Sequence, residues 1–179
     1  CFSKTETGKR AVGRELRPGQ ERHIRFVDKV VGVKGKRILE IGGDYKGTVA
    51  QAFVALGCAS VTSINRDNGF AAQQPRGRVQ RVEMDARNLN LPSNAYDLVF
   101  GTAVLEHLRD IEQVLEQIYR VTKPNGHVVL HGQPLWNCHV GHHLSITGQD
   151  GQRYSFNGNN PLGDWDHLVM DRDQLYHAL

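Results

Sequence analysis

At 179 residues, 39% of them hydrophobic and 23% charged, the chain has the length and balance of one globular domain with a single sizeable core. Its formal charge of +3 comes from scattered lysines and arginines, which excludes the dense basic stripe of a nucleic-acid binder. No apolar run approaches the roughly 18–20 residues of a membrane span, so membrane insertion is not expected. Cys1, Cys58 and Cys138 are far apart and form no CxxC pair, so neither a disulfide framework nor a cysteine zinc site is signalled. With no secretory signal in the polar start, the expected compartment is the cytoplasm.

In chain order, residues 1–19 are polar and aperiodic and read as a loose tail. From Glu21 to Val31 the apolar set Ile24, Phe26, Val27, Val30 and Val31 predicts a helical face. Arg37 to Ile41 reads as a short buried strand closed by Gly42-Gly43. Thr48 to Leu56 predicts a second helix, with Val49, Ala52, Phe53 and Leu56 inward and Gly57 as its stop. Strands are expected at Ser60–Asn65, Val79–Asp85, Tyr96–Gly101 and His127–His131, while Arg66 to Arg78 is polar and turn-rich and yields no assignment. Asp110 is placed to cap a helix with the stripe Ile111, Val114, Leu115, Ile118 and Val121, broken by Lys123-Pro-Asn-Gly126. Beyond it, Leu144–Thr147 and Arg153–Phe156 predict a hairpin across Asp150-Gly151. Asp171, with Gln174 three residues on, marks a capping box opening a final helix.

Strand and helix alternating in this way predict an α/β fold: a doubly wound, mostly parallel sheet with helices on both faces. Residues 20–179 are expected to form one domain, with 133–170 a substrate-side insertion containing the hairpin. Ligands of such sheets bind outside the carboxyl ends of the strands, where strand order reverses. That directs attention to the residues just after Ile41, Ile64, Met84, Phe100 and Leu130.

The first of these places is Glu40-Ile-Gly-Gly-Asp-Tyr-Lys-Gly47. Glycines there let backbone approach a nucleoside, where a Cβ would collide. The spacing departs from GxGxxG, and a carboxylate before the first glycine is a poor neighbour for pyrophosphate. It suits a ligand carrying an ammonium and a sulfonium instead. Met84-Asp85-Ala86, the run from Tyr96 to His107, and Arg120 to Leu130 follow in order. Together, from about Arg37 to Gly132, these passages resemble the Rossmann-like class I S-adenosylmethionine-dependent methyltransferases, in particular the small-molecule branch typified by quinone-biosynthesis enzymes.

The resemblance implies S-adenosyl-L-methionine as cofactor and a set of positions to hold it. Glu40, Gly42, Gly43, Asp44 and Gly47 would surround its methionine part and ribose. Asn65, with Arg66 beside it, falls where the family usually has an acid that grips both ribose hydroxyls. Asp85 would bind the adenine amino group with Ala86 against the ring, while Gly101 and Thr102 would offer backbone groups to the methionine end. Glu106 and His107 would lie on the cleft floor. Two positions depart from the pattern: Asp44 replaces a glycine and Asn65 replaces the acid, although an amide still accepts and donates and Asp67 is near in sequence. The family usually adds two further strands after the final helix. Their absence, the missing initiating Met and the stop inside a helix lead to the expectation of a fragment, with a partner chain or further segment covering an open sheet edge.

On the substrate side, His131, His139, His142 and His143 cluster, followed by Asp164, Asp166 and His167. His139, His142 and His143 are the candidate bases, because imidazole titrates near neutral pH. A divalent metal on an adjacent His pair with a carboxylate is the alternative, solvated structural histidines the third; no metal ligand is assigned. Trp136, Tyr154, Phe156 and Trp165 suit either stacking on a sugar or ring, or a small cluster of their own. Gly141–Leu144 with Asp164–Leu168 resembles methyltransferases encoded among polysaccharide-synthesis functions, which leans the expected acceptor toward a glycan. The leading expectation is methyl transfer to a small-molecule hydroxyl. Two alternatives stand beside it: a degenerate, non-catalytic methyltransferase-like domain of a larger protein, and a nicotinamide-dependent oxidoreductase. Nucleic-acid methylation is disfavoured, since Gly101-Thr-Ala103 lacks the Asn/Asp-Pro-Pro-aromatic run and no Pro-Cys nucleophile follows.

Overall fold

The computed structural model describes residues 16–72, 77–148 and 151–178. The chain divides into two compact units, meeting in sequence at His131 and Gly132.

The first unit opens with helix α1 (Pro18–Val31). It starts inside the stretch read as tail, because Pro18 supplies a preset first-turn φ and Gln20 reaches back to accept a hydrogen bond from the Arg17 backbone N–H at 3.1 Å. Only Gln20, Ile24 and Val27 are buried, whereas Phe26 and Val30 are exposed. The helix therefore seats on a narrower stripe than its apolar residues suggest. Then come β1 (Arg37–Ile41), α2 (Thr48–Ala55), β2 (Ser60–Asn65), β3 (Val79–Glu83), β4 (Tyr96–Thr102), a single 3-10 turn at Leu105–His107, α3 (Ile111–Val121) and β5 (Thr122–His131).

All five strands are parallel and lie in the order β3-β2-β1-β4-β5. The order reverses between β1 and β4, so the crevice expected for a ligand opens beyond Ile41 and Thr102. Alternate side chains of each strand feed separate cores on the two faces. Ile38, Val61, Leu98 and Phe100 pack with Ile24 and Val27 of α1 and Phe53 of α2. Leu39, Ile41, Ile64 and Val99 pack with Val114, Ile118 and Val121 of α3. Ile111 and Leu115, assigned to the α3 stripe from sequence, are 38% and 46% exposed. Phe70, in the stretch without assignment, is fully buried.

Two local expectations change. Asp110 does occupy the N-cap position of α3, but with φ 50° it makes no side-chain cap; its carboxylate accepts from Arg87 Nη1 at 2.8 Å. Lys123-Pro-Asn-Gly126 does not separate helix from strand. Thr122 already pairs with Tyr96, the next partners are Leu98 and His127, and the four residues between bulge out of the ladder. Lys123 Nζ anchors that bulge on Asp97 Oδ1 at 2.7 Å. β5 is an edge of the sheet, and its Val128 is 44% exposed.

The second unit contains the antiparallel pair β6 (Ser145–Thr147) and β7 (Arg153–Ser155), then α4 (Asp166–Val169) and α5 (Arg172–Ala178). The hairpin forms where the alternation placed it; Asp150 of its expected turn lies outside the described residues. The reciprocal capping box is present, with Asp171 N–H donating to Gln174 Oε1 and Gln174 N–H to Asp171 Oδ1, both at 2.9 Å. No helix among the described residues is long and apolar enough to cross a membrane.

Candidate functional site

A cavity of about 270 Å³ lies at the carboxyl ends of β1–β4. Gly42 lines it after β1, Asn65, Arg66 and Asp67 after β2, Met84 to Arg87 after β3, and Ala103, Val104 and His107 after β4. Of the cofactor positions singled out from sequence, Gly42, Asn65, Arg66, Asp85 and Ala86 are thus brought together, with His107 of the expected cleft floor beside them. Glu40, Gly43, Asp44, Gly47, Gly101, Thr102 and Glu106 do not line this cavity.

The wall after β1 is held from several directions. Gly42 N–H and Gly43 N–H both donate to the Ile64 carbonyl, at 2.9 and 3.0 Å. Asn65 Nδ2 donates to the Gly43 carbonyl at 2.8 Å, and its Oδ1 accepts from Asp67 N–H at 3.0 Å. The amide that stands in for the family's acid is therefore engaged in bracing the loop. Asp44, the other departure, accepts from Thr48 N–H and Thr48 Oγ1 at 3.0 and 2.8 Å, which caps α2 from four residues upstream. Arg81, on β3, donates to the Tyr45 carbonyl at 2.8 Å.

Gly42 and Gly101 converge on one side chain. A Cβ at Gly42, where φ is +75°, would sit 2.7 Å from Val104 Cγ2; one at Gly101 would sit 2.6 Å from Val104 Cγ1 and 3.3 Å from the Ile41 carbonyl. Left-handed backbone alone costs an L-residue about 1–2 kcal/mol. Gly42→Ala is accordingly expected to lower the unfolding free energy by about 2 kcal/mol or more, read from urea denaturation. An unchanged midpoint would refute the close packing of Gly42 on Val104.

Glu40 is almost completely buried on the opposite face of β1 from Leu39 and Ile41, where it accepts a hydrogen bond from Ser63 Oγ. Burial pushes its carboxyl up to about 7, against the opposing effect of the Ser63 hydrogen bond. Asp85 has the reverse character. Arg87 holds its carboxyl below the usual range through side-chain and backbone hydrogen bonds, Arg87 Nη2 lying 2.8 Å from Asp85 Oδ2. Arg87 in turn bridges to Asp110, so the loop after β3 is tied to the start of α3. Glu106 and His107 share the 3-10 turn after β4, with His107 Nε2 4.0 Å from Glu106 Oε1.

A second cluster surrounds Thr102. His23 Nδ1, from α1, lies 3.0 Å from Thr102 Oγ1, and its ring is 4.0 Å from that of His131 at the end of β5. Sequence reasoning passed over His23. The signal was its place at helical spacing beside the buried Gln20, Ile24 and Val27, where a polar ring needs a partner.

The candidate bases all lie in the second unit and have separate surroundings there. His139 Nε2 is 2.8 Å from Asp164 Oδ2. His142 Nδ1 accepts from Leu144 N–H at 3.0 Å, and burial, then His167, lower its pKa. His143 stacks on Phe156 at 4.7 Å. His167 is buried and donates through Nε2 to the Trp136 carbonyl at 2.7 Å, with the Trp136 ring edge-on to it.

A family described as a methyltransferase domain matches residues 39–130, more than half of the chain. The chain belongs to that family. Class I members use S-adenosylmethionine as methyl donor. In this methyltransferase-domain chain the match begins at Leu39 on β1 and ends at Leu130 on β5, and it contains every residue that lines the cavity. The ubiquinone biosynthesis O-methyltransferase of Pseudomonas savastanoi pv. phaseolicola is 30% identical over 112 residues, which cover 59% of this chain and 47% of that protein. A sterol 24-C-methyltransferase of Aspergillus fumigatus is 27% identical over 115 residues, 59% of this chain and 30% of that one. Among solved structures, an S-adenosylmethionine-dependent methyltransferase from Mesorhizobium loti has a TM-score of 0.58 at 17% identity, covering 90% of this chain and 78% of that chain. That last likeness is one of fold. The chain spans about half the length of the O-methyltransferase it matches.

Proposed function

We propose that the chain is an S-adenosylmethionine-dependent methyltransferase acting on a small-molecule acceptor, with a hydroxyl oxygen as the methylated atom. The observation that carries the proposal is the cavity at the reversal of strand order, with the Asp85 carboxylate and Ala86 in its wall. The Asp85 carboxylate is an acceptor in the cavity wall, and suits the amino group of adenine. Gly42, Asn65 and Arg66 would hold the rest of the cofactor, while Gly43, Asp44 and Gly47 shape and cap the loop. When bound, S-adenosylmethionine supplies the electrophilic methyl; the protein positions the acceptor in line with it and excludes competing geometries. The O-methyltransferase relative supports oxygen as the acceptor atom, and the exposed Trp136 and Trp165 support a sugar or ring. His139, His142 and His143 are the acceptor-side histidines of this reading. His139 Nε2 is paired with the Asp164 carboxylate at 2.8 Å. The exposed edge of β5 favours a covering segment or partner chain, and the free Cys58 and Cys138 favour the cytoplasm.

Titration calorimetry with S-adenosylmethionine, S-adenosylhomocysteine and NAD tests the cofactor. The first two are expected to bind and NAD not to, and Asp85→Ala is expected to weaken binding at least tenfold, about 1.4 kcal/mol. Equal affinity in the variant would remove Asp85 from the site. A second reading has its own support: Asn65 and Asp44 are both committed to protein hydrogen bonds, which favours a binding domain without turnover. Tight cofactor binding with no methyl transfer across a panel of glycans and phenols would select it.

A further inference from the structure

The group of side chains at the carboxyl ends of β4 and β5 has a charge character of its own. Three elements build it: α1 brings His23 and Arg22, β4 brings Thr102, and β5 brings His131, which is paired in register with Thr102. Thr102 directly precedes Ala103 and Val104 of the cavity wall, and Val104 N–H donates to the His131 carbonyl at 3.1 Å. The group therefore adjoins the cavity assigned to the cofactor.

From this arrangement we infer that His23, Thr102 and His131 form an acceptor subsite for an anionic oxygen, so that the substrate class is a hydroxylated acid and not a neutral alcohol. This rests on the methyl-transfer reading of the adjoining cavity. His131 Nδ1 is buried and has no hydrogen-bond partner among the described residues, an unmet donor or acceptor that a ligand oxygen would satisfy. Every charged neighbour that acts on His23 is a cation or a potential one. After burial, His131 and Arg22 are what lower its pKa, and no carboxylate opposes them. With a second imidazole 4.0 Å away and an arginine nearby, the His23 ring resists protonation. An anion placed between the two rings reverses the sign of that interaction, and a proton taken up with it completes the pairing. Thr102, hydrogen-bonded to His23 Nδ1, fixes the ring so that its other nitrogen is the one left for a ligand.

The test uses the full chain and 4-hydroxybenzoate as probe, with its neutral methyl ester as the matched control, titrated calorimetrically at pH 7 in two buffers of different ionisation heat. S-adenosylhomocysteine is titrated into the same samples. The acid is expected to bind with net proton uptake and at least tenfold more tightly than the ester. His131→Ala and His23→Asn are each expected to weaken the acid about tenfold while leaving the ester and S-adenosylhomocysteine unchanged. His23→Asn keeps a hydrogen-bonding group for Thr102 but cannot take up a proton, and retained S-adenosylhomocysteine affinity shows that a variant is folded. Equal affinity for acid and ester, no binding of the acid at millimolar concentration, or no effect of either variant would overturn the inference. Failure of S-adenosylhomocysteine to bind while the acid still does would instead overturn the methyl-transfer reading and leave an anion-binding subsite standing.

Discussion

Phe53→Ala is expected to lower the unfolding free energy by about 3–5 kcal/mol, the range for removing a fully buried phenylalanine. Phe53 is the central side chain of α2: it has no exposed surface and meets Phe100 of β4 edge-on, with ring centroids 5.0 Å apart. Its neighbours Ile38, Val61 and Leu98 are strand residues whose backbones are fixed by parallel pairing on both sides, so the space left by truncation cannot collapse. The lost aromatic pair adds about 0.5–1.5 kcal/mol beyond area burial. A domain of ordinary stability, about 5–15 kcal/mol, loses about a fifth or more of its margin. Urea titration of the whole chain, followed by tryptophan-independent circular dichroism, measures the change. A cost below about 1 kcal/mol would mean that α2 repacks freely on the sheet and that this face is not a fixed core.

Stability is also expected to fall as pH rises from about 4.5 to about 7, because of Glu40. In the folded chain this carboxyl is raised from its ordinary 4.5 to about 7, mainly by burial, with Asp44 adding to the rise and Ser63 and Arg81 opposing it. Between those two values the unfolded chain has released the proton and the folded chain still holds it. The folded state then binds more protons, so the unfolding free energy declines with pH across that window and levels off above about 7. A shift of this size corresponds to about 3 kcal/mol over the whole window, at about 1.4 kcal/mol per pH unit. Glu40→Gln keeps the shape and an acceptor for Ser63 but cannot ionise, so the difference between variant and parent should grow with pH from 4.5 to 7 and then stay constant. A pH-independent difference would place the Glu40 titration at its ordinary value. The lowered carboxyls of Asp85 and Asp97 act in the opposite sense at lower pH and cancel in this comparison.

Much of the first unit was legible because β1, β2 and β4 are short, largely buried and bounded by turn residues. The strand ends at Ile41, Asn65 and the β4 turn, which help form the cavity, were read to within a residue, whereas β3 stops at Glu83, two residues short of the expected Asp85. What escaped was set by tertiary partners. Phe70 sits among glycine and polar residues, and nothing local announces that Tyr45 and Arg81 pack on its ring. Asp110 occupies the predicted cap position, yet Arg87, 23 residues away, takes its carboxylate. Phe26, Val30 and Leu115 obey helical spacing, but exposure depends on how wide a stripe the sheet accepts, which periodicity alone does not fix. Asp85 and Ala86 came from a resemblance and do line the cavity; Arg87 beside them did not, because a bidentate pair between residues two apart leaves no trace in a pattern of residue types.

The bracing of the segment after β1 has a kinetic and entropic consequence. Ile64, Asn65, Thr48 and Arg81 each hold a different point of the stretch from Gly42 to Gly47. A loop secured in this way has already lost its freedom during folding, so a ligand arriving at the cavity has little left to order. Association should then run at the rate of simple docking, without a slow isomerisation phase, and its heat-capacity change should reflect only the apolar area covered. Discrimination between close analogues at this wall would come from fit to a rigid template, and it would show in dissociation rates far more than in association rates.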